Sequence, residues 1–217
     1  MEYASALRAL AFFAITASMT LLPTPARAQQ LQGKALVKAL QQGGYVIVMR
    51  HASSPAQKPD KQLADPENVH AERQLDELGR NSATAFGKAL RDLKIPIGQV
   101  LSSPTYRALE TAHYAQLPDP RIVPELGDNA QPPQDAPQSM RASSERQTVW
   151  LQREVARFPK GSNTILITHM PNVTAAFPSA SVGFSDGEAI IFGPGTKGVA
   201  TPIARVKINE WPKLAAR

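Results

Sequence analysis

The stretch Tyr45-Val46-Ile47-Val48-Met49-Arg50-His51-Ala52 joins an apolar run directly to a permanent cation and an imidazole. Gly43-Gly44 precedes it and Ser53-Ser54-Pro55 comes after, so the run reads as a buried parallel strand bounded by turn residues. In open α/β sheets ligands bind outside the carboxyl ends of the strands, and Arg50 and His51 stand at such an end. Taken alone, an Arg-His pair in that position is more often a solvated strand end than a site.

Two further stretches change that weighting. Thr164-Ile165-Leu166-Ile167-Thr168-His169 is a second apolar strand closing on His. Val100-Leu101-Ser102-Ser103-Pro104-Thr105-Tyr106-Arg107 is a strand turning into a helix with Arg on its first turn. If these strands are neighbours, two imidazoles and two guanidiniums share one cationic pocket. Arg50-His51-Ala52, Ser102-Ser103-Pro104-x-x-Arg107-Ala108-x-x-Thr111-Ala112 and Thr168-His169 lie in this order between Gly43 and Val173. Together they resemble the signature blocks of the histidine phosphatase superfamily, the phosphoglycerate-mutase-like enzymes. Ala52 stands where the first block usually has Gly.

The chain has 217 residues, 42% of them hydrophobic, which suffices for one domain with a sizeable core. Residues 1–28 are set apart as a secretory signal peptide: Arg8 precedes an apolar run from Ala9 to Leu22, and Ala26-Arg27-Ala28 suits cleavage before Gln29. The alternative, an uncleaved anchor, is disfavoured because the run is short for a bilayer and Pro23 and Pro25 end it. The mature chain, 29–217, is expected to be a single domain with no integral membrane segment, periplasmic or secreted. It keeps 22 basic and 17 acidic residues, a net charge of +5. These charges are scattered without interleaved aromatics, which argues against nucleic acid and leaves a mild bias toward anionic small molecules. With no Cys in the chain, disulfides, thiol nucleophiles and Cys metal sites are excluded.

Strand and helix signals alternate, which predicts a three-layer α/β/α sandwich with a mainly parallel central sheet and right-handed crossovers. Leu31 to Gln42 reads as an opening helix on the sheet edge, stopped by Gly43. Ser53 to Arg73 is a polar loop expected to cover the pocket. Asp76 caps a helix through about Leu93, with Leu78, Ala85, Phe86, Ala89, Leu90 and Leu93 on one face. Ser103-Pro104 reads as N-cap and first residue of the next helix, whose positive end favours an anion near Arg107. A short strand near Arg121 to Val123, a capping box at Ser144-x-x-Gln147, a short helix from Pro171 and two final strands complete the pattern. The run Gly193 to Gly198 joins those strands and lacks the ending of a phosphate-binding loop.

A phosphate ester repels nucleophiles through its own oxygens, so a pocket that cleaves it must neutralise charge and hold the reactants in line. Arginine, always charged and fork-shaped, assigns Arg50 and Arg107 to phosphate oxygens. His51 is the candidate nucleophile, forming a phosphohistidine, and His169 the second imidazole at an equatorial oxygen. The resemblance implies the same four roles. It also places a Ser or Thr near Ser54 on the phosphate, although Ser54 serves equally as a turn residue before Pro55. The resemblance also implies a Glu or Asp as proton donor in the segment after the second Arg, where Glu125 and Asp128 lie, with Glu188 a third candidate. The branch that places an Asp directly after the second His does not apply, since Met170 is there. Asn172 could orient His169 or cap its helix, and capping is favoured. His70, in a polar loop, and His113, mid-helix, read as surface or packing residues. Four His without Cys and without a His-x-x-x-His pair argue against zinc. No metal and no cofactor is expected. The leading reading is an exported, metal-independent phosphatase of small-molecule phosphomonoesters, with envelope sugar phosphates suggested by analogy. The alternative is a non-catalytic member of the same fold that binds a phosphorylated ligand, motivated by Ala52 and the undecided acid. A basic surface protein without a site is disfavoured by the three ordered blocks.

Overall fold

The structure is a computed structural model and describes residues 30–55, 73–128, 135–195 and 198–216. Residues 1–28, expected to be a signal peptide, together with His70 and most of the polar loop after Ser53, lie outside the described residues. Six strands form one sheet: β1 (Val46–Arg50), β2 (Ile97–Ser102), β3 (Arg121–Ile122), β4 (Asn163–Thr168), β5 (Ala189–Pro194) and β6 (Ala200–Val206). Their order is β3-β2-β4-β1-β5-β6. The pairs β2–β3, β2–β4 and β1–β4 are parallel; β5 runs against both β1 and β6. The sheet is thus mainly parallel with an antiparallel hairpin at one edge, and helices cover it.

Strand periodicity divides the apolar residues between two layers. From β1, Ile47 and Met49 join Ile165, Ile167 and Ile191 on one face. Val46 and Val48 join Leu166, Ile190 and Phe192 on the other. The first face is covered by α1 (Gly33–Gln42), α2 (Glu77–Asp92), α3 (Tyr106–Tyr114) and a C-terminal 3-10 segment, Ile208–Ala216. That segment inserts Trp211, fully buried, edge-on against Phe86 at 5.0 Å. Truncating a side chain of this size in a core costs about 3–5 kcal/mol. The second face is covered by α4 (Gln138–Glu154) and α5 (Met170–Ala176). Among the described residues no helix is long and apolar enough to cross a membrane.

Several local expectations hold. Gly43 ends α1 at φ 72°, and Leu31 ties the chain before α1 to edge strand β6 through Ile203 O at 2.7 Å. Asp76 caps α2, its Oδ1 accepting from Gly79 N at 2.7 Å.

Others are corrected. Leu78 and Ala85 are exposed; the buried face of α2 runs through Gly79, Ala83, Phe86, Gly87, Ala89 and Leu90. The reason is close backbone approach at two glycines: a Cβ on Gly79 would lie 2.0 Å from Ser53 O, and one on Gly87 1.7 Å from Ala115 O. A reading built on large apolar residues misses a face made of glycine. The capping box at Ser144 is also absent, because α4 starts six residues earlier, with Pro137 at its N-cap, and Ser144 lies inside the helix.

Candidate active site

Strand register brings the three sequence blocks together. Arg50 pairs with Thr168 and Ser102 with Ile167, so the carboxyl ends of β1, β4 and β2 lie side by side with β4 in the centre. Two hydrogen bonds extend the ladders past the strand ends: His51 N donates to Thr168 O at 3.0 Å, and Ser103 N to Ile167 O at 2.9 Å. The backbones that carry both imidazoles and the start of the Arg107 turn are therefore fixed by sheet geometry. Ala52 fits fully buried in the first core layer, and its N–H donates to Thr111 Oγ1 at 3.0 Å. Thr111 in turn donates to Arg107 O at 2.8 Å, linking the first block to the second.

His51 and His169 meet edge to face, ring centroids 5.2 Å apart, both nearly sealed from solvent. Hydrogen-bond partners assign their tautomers. His51 Nδ1 faces Ala52 O at 2.7 Å, so the proton is on Nδ1 and the Nε2 lone pair receives Arg107 Nε–H at 3.2 Å. Arg107 Nη2 donates to His169 Nδ1 at 3.2 Å, so His169 carries its proton on Nε2 and donates it to Ser103 Oγ at 2.8 Å, with Thr105 Oγ1 at 3.3 Å. One guanidinium thus spans both imidazoles. Burial lowers both imidazoles from 6.5 to about 3. For His51 the His169, Arg107 and Arg50 charges add to it, against the Ala52 hydrogen bond, which raises; for His169 the contributors are Arg107, Arg50 and Arg73. Desolvation dominates because a charged ring in this setting has lost water and faces other cations. At neutral pH both rings are uncharged, the form a nitrogen nucleophile requires.

The acids separate by position. Asp128 Oδ2 forms an ion pair with Arg107 Nη2 at the rim of the site. Glu125, three residues earlier in the 3-10 turn Pro124–Leu126, lines a separate groove along α4 with Arg146, Trp150 and Arg153. Glu188 is buried and committed: Oε1 accepts from Arg205 Nε and Nη2 at 2.9 and 2.6 Å, and Oε2 from Ser185 N and Oγ. Ser54 Oγ donates to Gln74 O at 2.8 Å, closing the base of the polar loop rather than meeting the histidines. Asn172 is corrected from a cap: it is inside α5, and its Nδ2 donates to Gly127 O at 3.0 Å and Glu125 O at 3.4 Å. With Thr168 Oγ1 donating to Leu126 O at 3.0 Å, it clips the 124–128 turn to the end of β4 and so delivers Asp128. His113 is exposed on α3, as expected.

Arg50 Nη2 forms an ion pair with Asp186 Oδ1 at 2.6 Å, and among the described residues Arg50 Nε is buried without a partner. Sequence reasoning missed four residues here. Ser103 was expected to cap α3; the cap is Thr105, without a side-chain bond, and Ser103 is spent on His169. Thr105, Arg73 and Asp186 carried no signal of their own. Arg73, at the far base of the polar loop, reaches Ser54 O with Nη2 at 3.5 Å, and its charge is felt by His169.

The arrangement brings together two unprotonated imidazole nitrogens, the guanidiniums of Arg50 and Arg107, and the carboxylates of Asp128 and Asp186. Residues 46–128 match the family model described as histidine phosphatase superfamily (branch 1). A comparison with curated proteins finds no match. Among solved structures, a phosphoserine phosphatase mutant from Entamoeba histolytica in complex with phosphoserine is similar, with TM-score 0.52 and 12% identity over 76% of this chain and 97% of that one. The protein histidine phosphatase SixA complexed with tungstate gives 0.49 and 19%, over 76% and 98%. Native mycobacterial glucosyl-3-phosphoglycerate phosphatase gives 0.45 and 16%, over 70% and 91%. At these identities the first likeness bears on fold alone, and the other two only stand beside it.

Proposed function

We propose that this chain, whose residues 46–128 match the histidine phosphatase superfamily (branch 1) model, is a metal-independent phosphomonoester hydrolase acting through a phosphohistidine on His51. The observation that carries the reading is the His51 tautomer: Nδ1–H is held by Ala52 O, which leaves Nε2 as a lone pair directed at the Arg107 guanidinium. A phosphoryl group drawn to Arg107 arrives in front of that lone pair. Its oxygens take over the donors of Arg107 and the unpartnered Nε of Arg50. Nε2 then attacks phosphorus as the ester P–O bond breaks, and the Nε2–H of His169 turns from Ser103 Oγ to an equatorial oxygen as charge develops there. The leaving alkoxide needs a proton; Asp128, favoured over Glu125 because it pairs with Arg107 at the rim, is displaced from that arginine by the phosphoryl oxygens, takes the proton of the phosphomonoester monoanion and passes it to the leaving oxygen. In the second step water attacks the phosphohistidine, giving up its proton to the same carboxylate, and inorganic phosphate leaves.

The test is turnover of a phosphoester panel, sugar phosphates first, by the mature chain in excess chelator. Activity is expected to persist in chelator and to fall by several orders of magnitude in His51→Ala, with oxyanion binding retained. Absence of turnover on any ester, with vanadate binding intact, would instead favour a phospho-ligand-binding role. Export belongs to the same proposal, supported by the leader pattern in residues 1–28. Amino-terminal sequencing of the protein expressed with its leader should find Gln29; an intact Met1 on cytosolic protein contradicts export.

A further inference from the structure

Two carboxylates face the two phosphate arginines. Asp128 pairs with Arg107 from the 124–128 turn; Asp186 pairs with Arg50 from the turn before β5. The turn that carries Asp186 is unusually well tied. Gly187 N donates to His51 O at 2.9 Å, and Arg50 N donates to Glu188 O at 3.1 Å, so two residues of this turn are sewn to the catalytic pair. Glu188 is locked by Arg205 on β6 and by Ser185, whose N and Oγ both donate to Glu188 Oε2. Asp186 is thus held between residues that cannot shift without breaking bonds to a buried carboxylate and to the backbone of His51.

The state of Arg50 gives this turn a purpose. Among the described residues its Nε is buried without a partner, while its Nη2 forms an ion pair with Asp186 Oδ1 at 2.6 Å. A buried donor with no acceptor is costly, so the protein keeps it only where something supplies the acceptor. Charge attraction to Asp186 anchors one end of the guanidinium while its other donor is left for an incoming oxygen. We propose that Asp186 is a positioning residue: it holds Arg50 by Nη2 so that the unpartnered Nε is kept for a phosphoryl oxygen. The proposal rests on the phosphatase reading of the site. It also carries a sign that simple electrostatics would reverse. Removing a negative charge near an anion site should by itself tighten anion binding; losing a positioned donor should weaken the binding of a transition-state mimic.

The experiment compares wild type, Asp186→Asn, Asp186→Glu, Arg50→Ala and the Arg50→Ala/Asp186→Asn pair, in phosphomonoester turnover and in vanadate and inorganic phosphate binding by titration. In Asp186→Asn, kcat is expected to fall about tenfold and vanadate binding to weaken about tenfold, with inorganic phosphate affinity changed less than about threefold. Asp186→Glu should restore part of kcat. In the Arg50→Ala background the Asn substitution should have no further effect on vanadate binding, because there is nothing left to position. Equal losses with and without Arg50, or tighter vanadate binding in Asp186→Asn, overturn the proposal even if wild type is an active phosphatase. A wild type that neither hydrolyses esters nor binds vanadate overturns the underlying reading as well.

Discussion

Arg107 enters the pocket from the first turn of a helix and is 6% exposed, its Nε and Nη2 engaged by two imidazoles and a carboxylate. Arg50 enters from a strand end, its side chain 22% exposed, with one ion pair, to Asp186, and an Nε that has no partner among the described residues. Both have the same formal charge and the same expected ligand. Arg107 is a member of the folded framework: its hydrogen bonds set the tautomers of both histidines and anchor Asp128. Arg50 is less committed, with Asp186 as its ion-pair partner and its Nε left over. Removing Arg107 therefore orphans three groups at once, whereas removing Arg50 subtracts mainly a ligand contact.

The sharpest way to break this contrast is to truncate each. Arg107→Ala should lower kcat/KM by roughly 10³-fold or more, and also the midpoint of thermal unfolding, since two buried imidazoles and Asp128 lose a common donor. Arg50→Ala should cost about 10²-fold with little change in unfolding. Equal thermal losses in the two variants would show that the framework role assigned to Arg107 alone is mistaken. Asp128→Asn sharpens the contrast from the acid side. It should slow alkyl phosphate esters about 10²-fold and nitrophenyl phosphate far less, because a good leaving group needs no proton. A uniform loss across leaving groups would mean that Asp128 serves only Arg107.

A smaller effect tests the electrostatics around Arg107. His51 and His169 are lowered to about 3 in the folded protein, against 6.5 when unfolded. Between those values the unfolded chain binds more protons than the folded one. The stability these rings contribute is thus complete above about pH 6.5 and is lost progressively as pH falls toward 3. Urea unfolding at several pH values should show this slope in wild type and a shallower one in His51→Asn. An unchanged slope would place the acid sensitivity elsewhere. The smallest effect concerns delivery of Asp128. Asn172→Ala removes the clip on Gly127 and Glu125 and should cost about 1 kcal/mol of stability with a few-fold loss of kcat.

Much of this was legible in the sequence because an apolar strand also fixes the position of the residues at its carboxyl end. An apolar run ending in Arg50-His51 or Thr168-His169 carries both its burial and its direction, and parallel pairing then brings the ends together. Ser103 and Asn172 were misjudged for one shared reason. Small polar residues bond whichever backbone or side chain lies near, and that neighbour is set by tertiary packing rather than by local spacing. Glu125 and Asp128 could not be ranked because three residues in an irregular turn point in unrelated directions; only the clips from Thr168 and Asn172 decide which reaches Arg107. Asp186 had no local signature, its significance depending on β5 lying beside β1. The glycine face of α2 shows the same limit in the core, where closeness of backbones leaves no side chain to read.

The central claim is a covalent phosphoryl group on His51, and it can be observed directly. Protein mixed with phosphoryl-labelled substrate in excess chelator, quenched in alkali within the turnover time and digested, should carry the label on the peptide that contains His51. The bond should be stable to base and labile to acid, as a phosphorus–nitrogen bond is. His51→Asn should yield no label while still binding vanadate. A label on Ser, Thr or Asp, or undiminished turnover in His51→Asn, would contradict the account.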